Sequence, residues 1–323
     1  MKPSELPLAP DGSLYHIRLT RSTLADKVLL VGDPERVEMF KQIFDSVEFE
    51  SRNREIHALT GCYHGTRMTA LSTGMGCDNI DIVMTELDAA HSLTQSPSHS
   101  DTQPLQIVRI GTSGSLQEEI DCGSHVASVY AIGLDGLMNY YREWVVENDE
   151  RGMMNDERRM EEAFLQHMGL DERVARPYCV KGSELLLNKI AFDMHHGITA
   201  TAPGFYGPQG RTVRLHPSIE NLNEKLASFV WRTPKSFGQL PLKGRSLSPA
   251  DSSPKGEQQK GGEPLKVTNL EMETSAIFGF SHLLGHEALT VCLIIANRPK
   301  GTFLSDYHSQ MRELVGTVVE RMA

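Results

Sequence analysis

Little in this chain serves disulfide bonding, membrane insertion or nucleic-acid binding. Its five cysteines, Cys62, Cys77, Cys122, Cys179 and Cys292, are odd in number and widely spaced, with no CxxC pair. That pattern belongs to a reducing compartment and supplies neither a disulfide frame nor a zinc site. No apolar run approaches the roughly 18 residues that a membrane span needs, and the opening MKPSELPLAPDGS has no apolar core of a signal peptide. The expected location is therefore the cytoplasm. A net charge of -10 argues against a nucleic-acid-binding body. It leaves room for a small anionic ligand, because a local arginine cluster overrides the global sign. A dinucleotide fold is also poorly supported. Gly74, Gly76 and Asn79 approximate GxGxxG without its third glycine, and no acidic residue closes a second strand about 20 positions on.

What is present fits a globular protein with a large core. The 323 residues, 39% of them hydrophobic, suit one α/β domain with insertions or two smaller ones. Residues 1–13 are proline-rich and expected to be loose. Residues 27–31, KVLLV, read as a buried strand that stops at Gly32-Asp33-Pro34 and feeds a helix. Residues 47–57 and 61–71 read as two strands around a Leu-Thr-Gly turn, and 79–90 as an amphipathic helix. Residues 106–110 form a strand ended by Gly-Thr-Ser-Gly. Further strands are expected near 125–131, 198–201 and 288–296. Helices are expected at 184–195, 271–284 and 306–323. The segments 91–104 and 148–173 read as surface excursions. Residues 232–264, rich in Lys, Ser, Pro and Gly, read as a polar low-complexity insertion. Helices alternating with apolar strands define an α/β class with a mixed or mostly parallel sheet.

Three groups of residues have the equipment of a binding site. Arg36, Arg54 and Arg109 sit beside glycine turns or strand ends, and two hydroxyls follow Arg109. Guanidinium forks with bare backbone N–H groups hold oxyanions such as phosphate. Glu271 and Glu273 flank Met272 at the head of a buried-looking helix. A carboxylate accepts two hydrogen bonds from vicinal hydroxyls, as in ribose, and a methionine packs on the sugar face. Phe205, Gln209 and Arg211 share one loop. An aromatic covers a flat heterocycle, while a Gln amide and an Arg fork read a carbonyl–NH–carbonyl edge. Each group alone has an ordinary structural explanation, as an ion pair, a helix-start acid or a Gly/Pro loop. Anion, sugar and base together suggest attack of phosphate on the anomeric carbon of a nucleoside.

With those residues assembled, the chain resembles the nucleoside phosphorylases of the purine/uridine phosphorylase superfamily, and the uridine branch more than the purine one. The resemblance rests on GDPERV (32–37), STGMGCDNIDI (72–82), RIGTSGSL (109–116), FYGPQGR (205–211), EMETSA (271–276) and IIANR (294–298), in the family's order over about residues 14–310. It implies a single three-layer α/β domain, residues 14–323, around a central mixed sheet. It also implies a homodimer with shared active sites, or a hexamer. By position, Gly32, Arg36, Arg109 and Thr112 match the phosphate contacts, and Arg54 matches an arginine lent to phosphate by a neighbouring subunit. His16 matches a histidine lent to the ribose 5′-hydroxyl. Met272 and Glu273 match the ribose contacts, flanked by Glu271. Phe205, Gln209 and Arg211 match the pyrimidine pocket, with Arg298 behind them.

Two departures matter. Purine enzymes of this group place a Ser-Asp pair after the last core strand, to protonate N7, where this chain has Ala296-Asn297-Arg298. That implies a pyrimidine leaving group. Some uridine phosphorylases hold a monovalent cation between subunits. Glu55 and Asn79 are the candidates here, although Cys77-Asp78-Asn79 replaces the family's small residues. The resemblance implies no cofactor, with inorganic phosphate as co-substrate. The expected reaction is uridine plus phosphate to uracil plus ribose 1-phosphate, in nucleoside salvage or catabolism. Another nucleoside, a nucleosidase using water and a non-catalytic nucleoside sensor are the competing readings.

Overall fold

A computed structural model describes residues 2–92, 103–145, 156–232 and 264–323. Residues 233–263 of the insertion expected at 232–264, and 93–102 of the connection expected at 91–104, lie outside them.

The organising strand is β5, Gln106–Ser115. One edge carries β11, Glu287–Asn297, parallel along its whole length. The other edge is divided. Its first half pairs in parallel with β1, Lys27–Val31, and its end pairs antiparallel with β10, Pro264–Glu271. From β11 the pairing runs to β6, His125–Gly133, then to β8, His195–Thr201, and on to β10. The ring β5-β11-β6-β8-β10 thus closes on itself as a small barrel. From β1 an open wing continues through β4, Thr66–Ser72, β3, Ile56–Tyr63, and β2, Ser46–Asn53. Pairing slips by one residue in β11, β10 and β6, and such bulges bend strands at barrel corners. Three short strands complete the set: β7, Tyr178–Lys181, on β6; β9, Val230–Arg232, on β10; and β12, Thr302–Phe303, on β11.

Helices cover both faces. One side carries α1, Val37–Ile43, α3, Asp156–Met168, α4, Glu184–Ile190, α5, Leu222–Ser228, and α7, His308–Met322. The other carries α2, Cys77–Ser92, α6, Thr274–Leu284, and the chain around Leu14–Leu24. Strand alternation feeds both cores. Leu29 and Val31 of β1 join the first, and Val28 and Leu30 the second. The three-layer α/β architecture with a mixed sheet follows from this.

Several expected boundaries move. Leu59-Thr60-Gly61 is not a turn but lies inside β3. A Cβ on Gly61 would stand 2.3 Å from the Ser46 carbonyl, so glycine serves close strand approach. The actual turns fall at Arg54 and at His64-Gly65, all with positive φ. The Gly-Thr-Ser-Gly after residue 110 continues β5 instead of ending it. Glu271 closes β10, and its helix begins three residues later. Within 148–173, α3 buries Met160, Phe164 and Met168, so that segment contributes to the core instead of lying on the surface. Residues 2–13 form turns closed by a bridge between Leu8 and Leu14.

Candidate active site

The carboxyl ends of β1, β5, β10 and β11 open on one cavity of about 970 Å³. Eleven of the thirteen residues singled out in the sequence line it: Gly32, Arg36, Arg109, Thr112, Phe205, Gln209, Arg211, Glu271, Met272, Glu273 and Arg298. The cation candidates Glu55 and Asn79 line it too. They stand on either side of Gly74, whose φ is 72° and whose Cβ would lie 2.4 Å from the Asn79 amide and 3.0 Å from the Glu55 side chain. His16 and Arg54 are not among the lining residues.

The cavity floor is an ion-pair knot. Arg109 is buried on β5, and Gly111 makes room for it, since a Cβ there would meet its guanidinium at 2.1 Å. Its Nη2 donates to Glu273 Oε2, and Nη1 lies 3.2 Å from Glu271 Oε2. Burial alone would lower the arginine's pKa, but the two carboxylates raise it above its ordinary value. Glu271 is fully engaged. It accepts from the Thr201 hydroxyl at 2.7 Å and from the N–H groups of Glu273 and Thr274 at 2.9 and 3.0 Å. It is a helix-start carboxylate, satisfying donors that α6 leaves open. Glu273 accepts from the Gly76 N–H at 2.7 Å. Its pKa is raised, first by burial and then by Glu271, against the pull of Arg109.

Arg36 ends the turn that follows β1 and is also buried, yet it has no carboxylate partner among the described residues. Its Nη2 donates to the Tyr307 hydroxyl at 3.3 Å. Thr112 lines the same cavity.

The opposite end is built from the loop after β8 and the end of β11. Arg211 donates to Gln209 Oε1 at 2.6 Å and lies over the Phe205 ring, 3.7 Å from its centroid. Arg298 donates to the Gln209 carbonyl, and Gln209 is 3% exposed. Neither arginine has an acidic partner among the described residues. Burial, then the like charge of Arg298, lowers the pKa of Arg211 to about 10; burial also lowers that of Arg298. The bulge in β11 skips Ile295, which joins the wall. Asn297 is buried, with Nδ2 donating to the carbonyls of Gln117 and Ile120 and Oδ1 accepting from the Lys300 N–H. Its amide is committed to the fold.

Outside the cavity, His16 is held by Glu86, with Nδ1 at 2.6 Å from Oε1. The Asn53 amide donates to the carbonyls of Tyr15 and His16 at 3.0 Å each, so exposed Arg54 lies next to this segment. A separate group, Glu38, Glu50 and His57, brings three possible ligand atoms within 4.8 Å, but Lys41 and Arg52 already occupy its carboxylates. All five cysteines are free thiols. Sequence reasoning gives no site role to Tyr307, Thr201 or Glu86, nor to Gly76, although Gly76 lies within the 72–82 motif. A lone tyrosine, threonine or glutamate carries no motif, and only long-range contacts reveal those three.

Comparison with known proteins fits this geometry. The family model described as "Phosphorylase superfamily" matches residues 26–322. The chain belongs to the phosphorylase superfamily. Among its relatives, the uridine phosphorylase of Thermococcus kodakarensis is 25% identical over 300 residues, covering 93% of this chain and 83% of that protein. A DeoD-type purine nucleoside phosphorylase of Alkaliphilus metalliredigens is 31% identical over 128 residues, 39% of this chain and 50% of its own length. Among solved structures, a Trypanosoma brucei nucleoside phosphorylase, described as having uridine phosphorylase activity, superposes with a TM-score of 0.77 at 27% identity. That match covers 98% of this chain and 99% of the other. No helix among the described residues of this superfamily member is long and apolar enough to cross a membrane.

Proposed function

We propose that the chain catalyses phosphorolysis of a pyrimidine nucleoside, with uridine and phosphate giving uracil and ribose 1-phosphate. The observation that carries this reading is the pair of half-buried arginines at one end of the cavity, Arg211 and Arg298, which meet Gln209 but have no acidic partner among the described residues. A charged group without a partner is costly away from water. A ligand that becomes anionic as it leaves relieves that cost, and uracil expelled with its bonding electrons is such a ligand.

Phosphate sits at the other end, held by the Gly32 backbone, Arg36, Arg109 and Thr112. Glu273 and Met272 hold the ribose between them. A phosphate oxygen attacks C1′, the C1′–N1 bond breaks, and its electron pair goes to the base. Gln209 and Arg211, backed by Arg298, stabilise the uracil anion, which takes a proton from solvent after release. Positive charge on the sugar in the transition state is matched by the phosphate beneath it. Positioning and preorganised electrostatics supply the catalysis, and no covalent enzyme intermediate or cofactor is required. Purine phosphorolysis has support in the partial likeness to the DeoD-type enzyme. The committed amide of Asn297 favours the pyrimidine, because it leaves no acid at that strand end to protonate a purine ring.

His16 and Arg54 act in a second copy of the chain. Both lie outside their own cavity on neighbouring surface, so a homodimer with shared sites gives them a role. A monovalent cation between Glu55 and Asn79 belongs to the same reading. The test is uracil release from uridine with and without inorganic phosphate. Phosphate-dependent release with ribose 1-phosphate supports the proposal. Equal release without phosphate makes the protein a nucleosidase, and preferential cleavage of inosine moves the substrate to the purines.

A further inference from the structure

The two arginines nearest the expected phosphate differ in what holds them. Arg109 has its charge matched by two carboxylates. Arg36 is 9% exposed, and the Tyr307 side chain is its one side-chain hydrogen-bond partner among the described residues. Tyr307 stands at the start of α7, the carboxy-terminal helix, 271 residues away in sequence. Its ring lies beside the guanidinium, with Arg36 Cζ 5.8 Å from the centroid.

The hydrogen-bond chemistry of this pair is asymmetric. A guanidinium has donors only, so the Tyr307 oxygen accepts and its own O–H proton points elsewhere. Among the described residues the hydroxyl makes no hydrogen bond besides the one it accepts from Arg36, and Tyr307 lines the cavity. The result is a donor cluster without an acceptor: the tyrosine hydroxyl together with the remaining N–H groups of Arg36. The ligand that fits is a small oxyanion with several acceptor oxygens.

We propose that Tyr307 is a direct phosphate-binding residue, its hydroxyl donating to a phosphate oxygen while its oxygen and ring hold Arg36 in place. The proposal rests on the phosphorolysis reading for its ligand. It goes further by assigning a residue outside every motif that carried the resemblance. It also divides the labour at this end of the cavity. The Arg36–Tyr307 pair is the uncommitted anion seat, and Arg109 is shared with the sugar-side carboxylate.

The test uses inorganic phosphate and the full chain. Phosphate binding is measured calorimetrically for the wild type, Tyr307→Phe, Arg36→Gln and the double variant, alongside uracil binding and steady-state kinetics. Tyr307→Phe keeps the ring and removes only the hydroxyl. A hydrogen bond to a charged group converts to about ten-fold or more in affinity. Phosphate Kd and phosphate KM are therefore expected to rise about ten-fold in Tyr307→Phe. Uracil affinity is expected to change less than about two-fold. In the Arg36→Gln background the Tyr307→Phe change still weakens phosphate, because the hydroxyl acts directly. An unchanged phosphate Kd in Tyr307→Phe overturns the proposal. So does an effect that vanishes once Arg36 is replaced, which would make Tyr307 a support for the arginine only. If phosphate-dependent turnover is normal and phosphate affinity is unmoved by Tyr307→Phe, the seat falls and the reaction stands. If phosphate binds tightly and Tyr307→Phe weakens it while no nucleoside is cleaved, the reaction falls and the seat stands. A wild type that binds no phosphate overturns both.

Discussion

The two ends of the cavity solve opposite electrostatic problems. Around Arg109, opposite charges are in contact: one guanidinium faces two buried carboxylates, whose excess negative charge is met by backbone and hydroxyl donors, while Arg109 Nε is buried without a hydrogen-bond partner. Around Gln209, two guanidinium groups face each other with no acidic partner among the described residues. The end around Arg109 holds its charges in ion pairs. The end around Gln209 keeps two cations without an acid among the described residues, which is costly away from water. A site that must expel an anionic base gains from this arrangement, since the field is in place before the charge forms.

The largest effect should come from breaking the ion-paired end. Arg109→Ala leaves two buried carboxylates facing each other, so phosphate-dependent turnover should fall at least about 1000-fold. Folding stability should drop by about 3–5 kcal/mol, the usual cost of orphaning a buried charge. Near-normal turnover in that variant sinks the assignment of Arg109. At the other end, Arg298→Gln should lower kcat about 100-fold and leave denaturation midpoints unchanged or slightly raised, because it removes a charge without an acidic partner. A loss of stability comparable to Arg109→Ala would erase the contrast. The pH dependence sharpens it further. The raised pKa of Glu273 means that its accepting carboxylate is present above that pKa and lost as pH falls through it. The acid limb of kcat/KM should therefore lie above the ordinary glutamate value of about 4.3, and a limb at or below that value refutes the ribose role. Thr201→Val removes one of the hydrogen bonds to Glu271 and should cost about 1 kcal/mol with a few-fold loss of kcat, read by urea titration and steady-state rates. The smallest effect belongs to the rim. Phe303 is 67% exposed, and Phe303→Ser should shift stability by less than about 0.5 kcal/mol.

Much of this was legible in the residues. The order of strands and helices followed from apolar period, and the GDP, GTSG and EME stretches all contribute residues to one cavity. The errors share one cause. Glycine reads locally as punctuation at Gly61 and Gly111, but both lie within strands and are glycine because another group occupies the space a Cβ would take: the Ser46 carbonyl in one case, the Arg109 guanidinium in the other. The charge density of α3 suggests solvent exposure, yet its apolar side, Met160, Phe164 and Met168, packs into the core. Local pattern carries no information about what packs against a segment from elsewhere in the chain.

The sequence alone determined the chemical inventory: which side chains carry charge, which strand ends they follow, and the α/β class that brings strand ends together. It could not determine which charges are paired. Arg109 meets Glu273 across 164 positions, and Arg36 meets Tyr307 across 271. Ion pairs and buried hydrogen bonds depend on distance and dielectric, and both exist only once the barrel has closed. Tertiary structure therefore decided that Arg109 is ion-paired while Arg36, Arg211 and Arg298 have no acidic partner among the described residues.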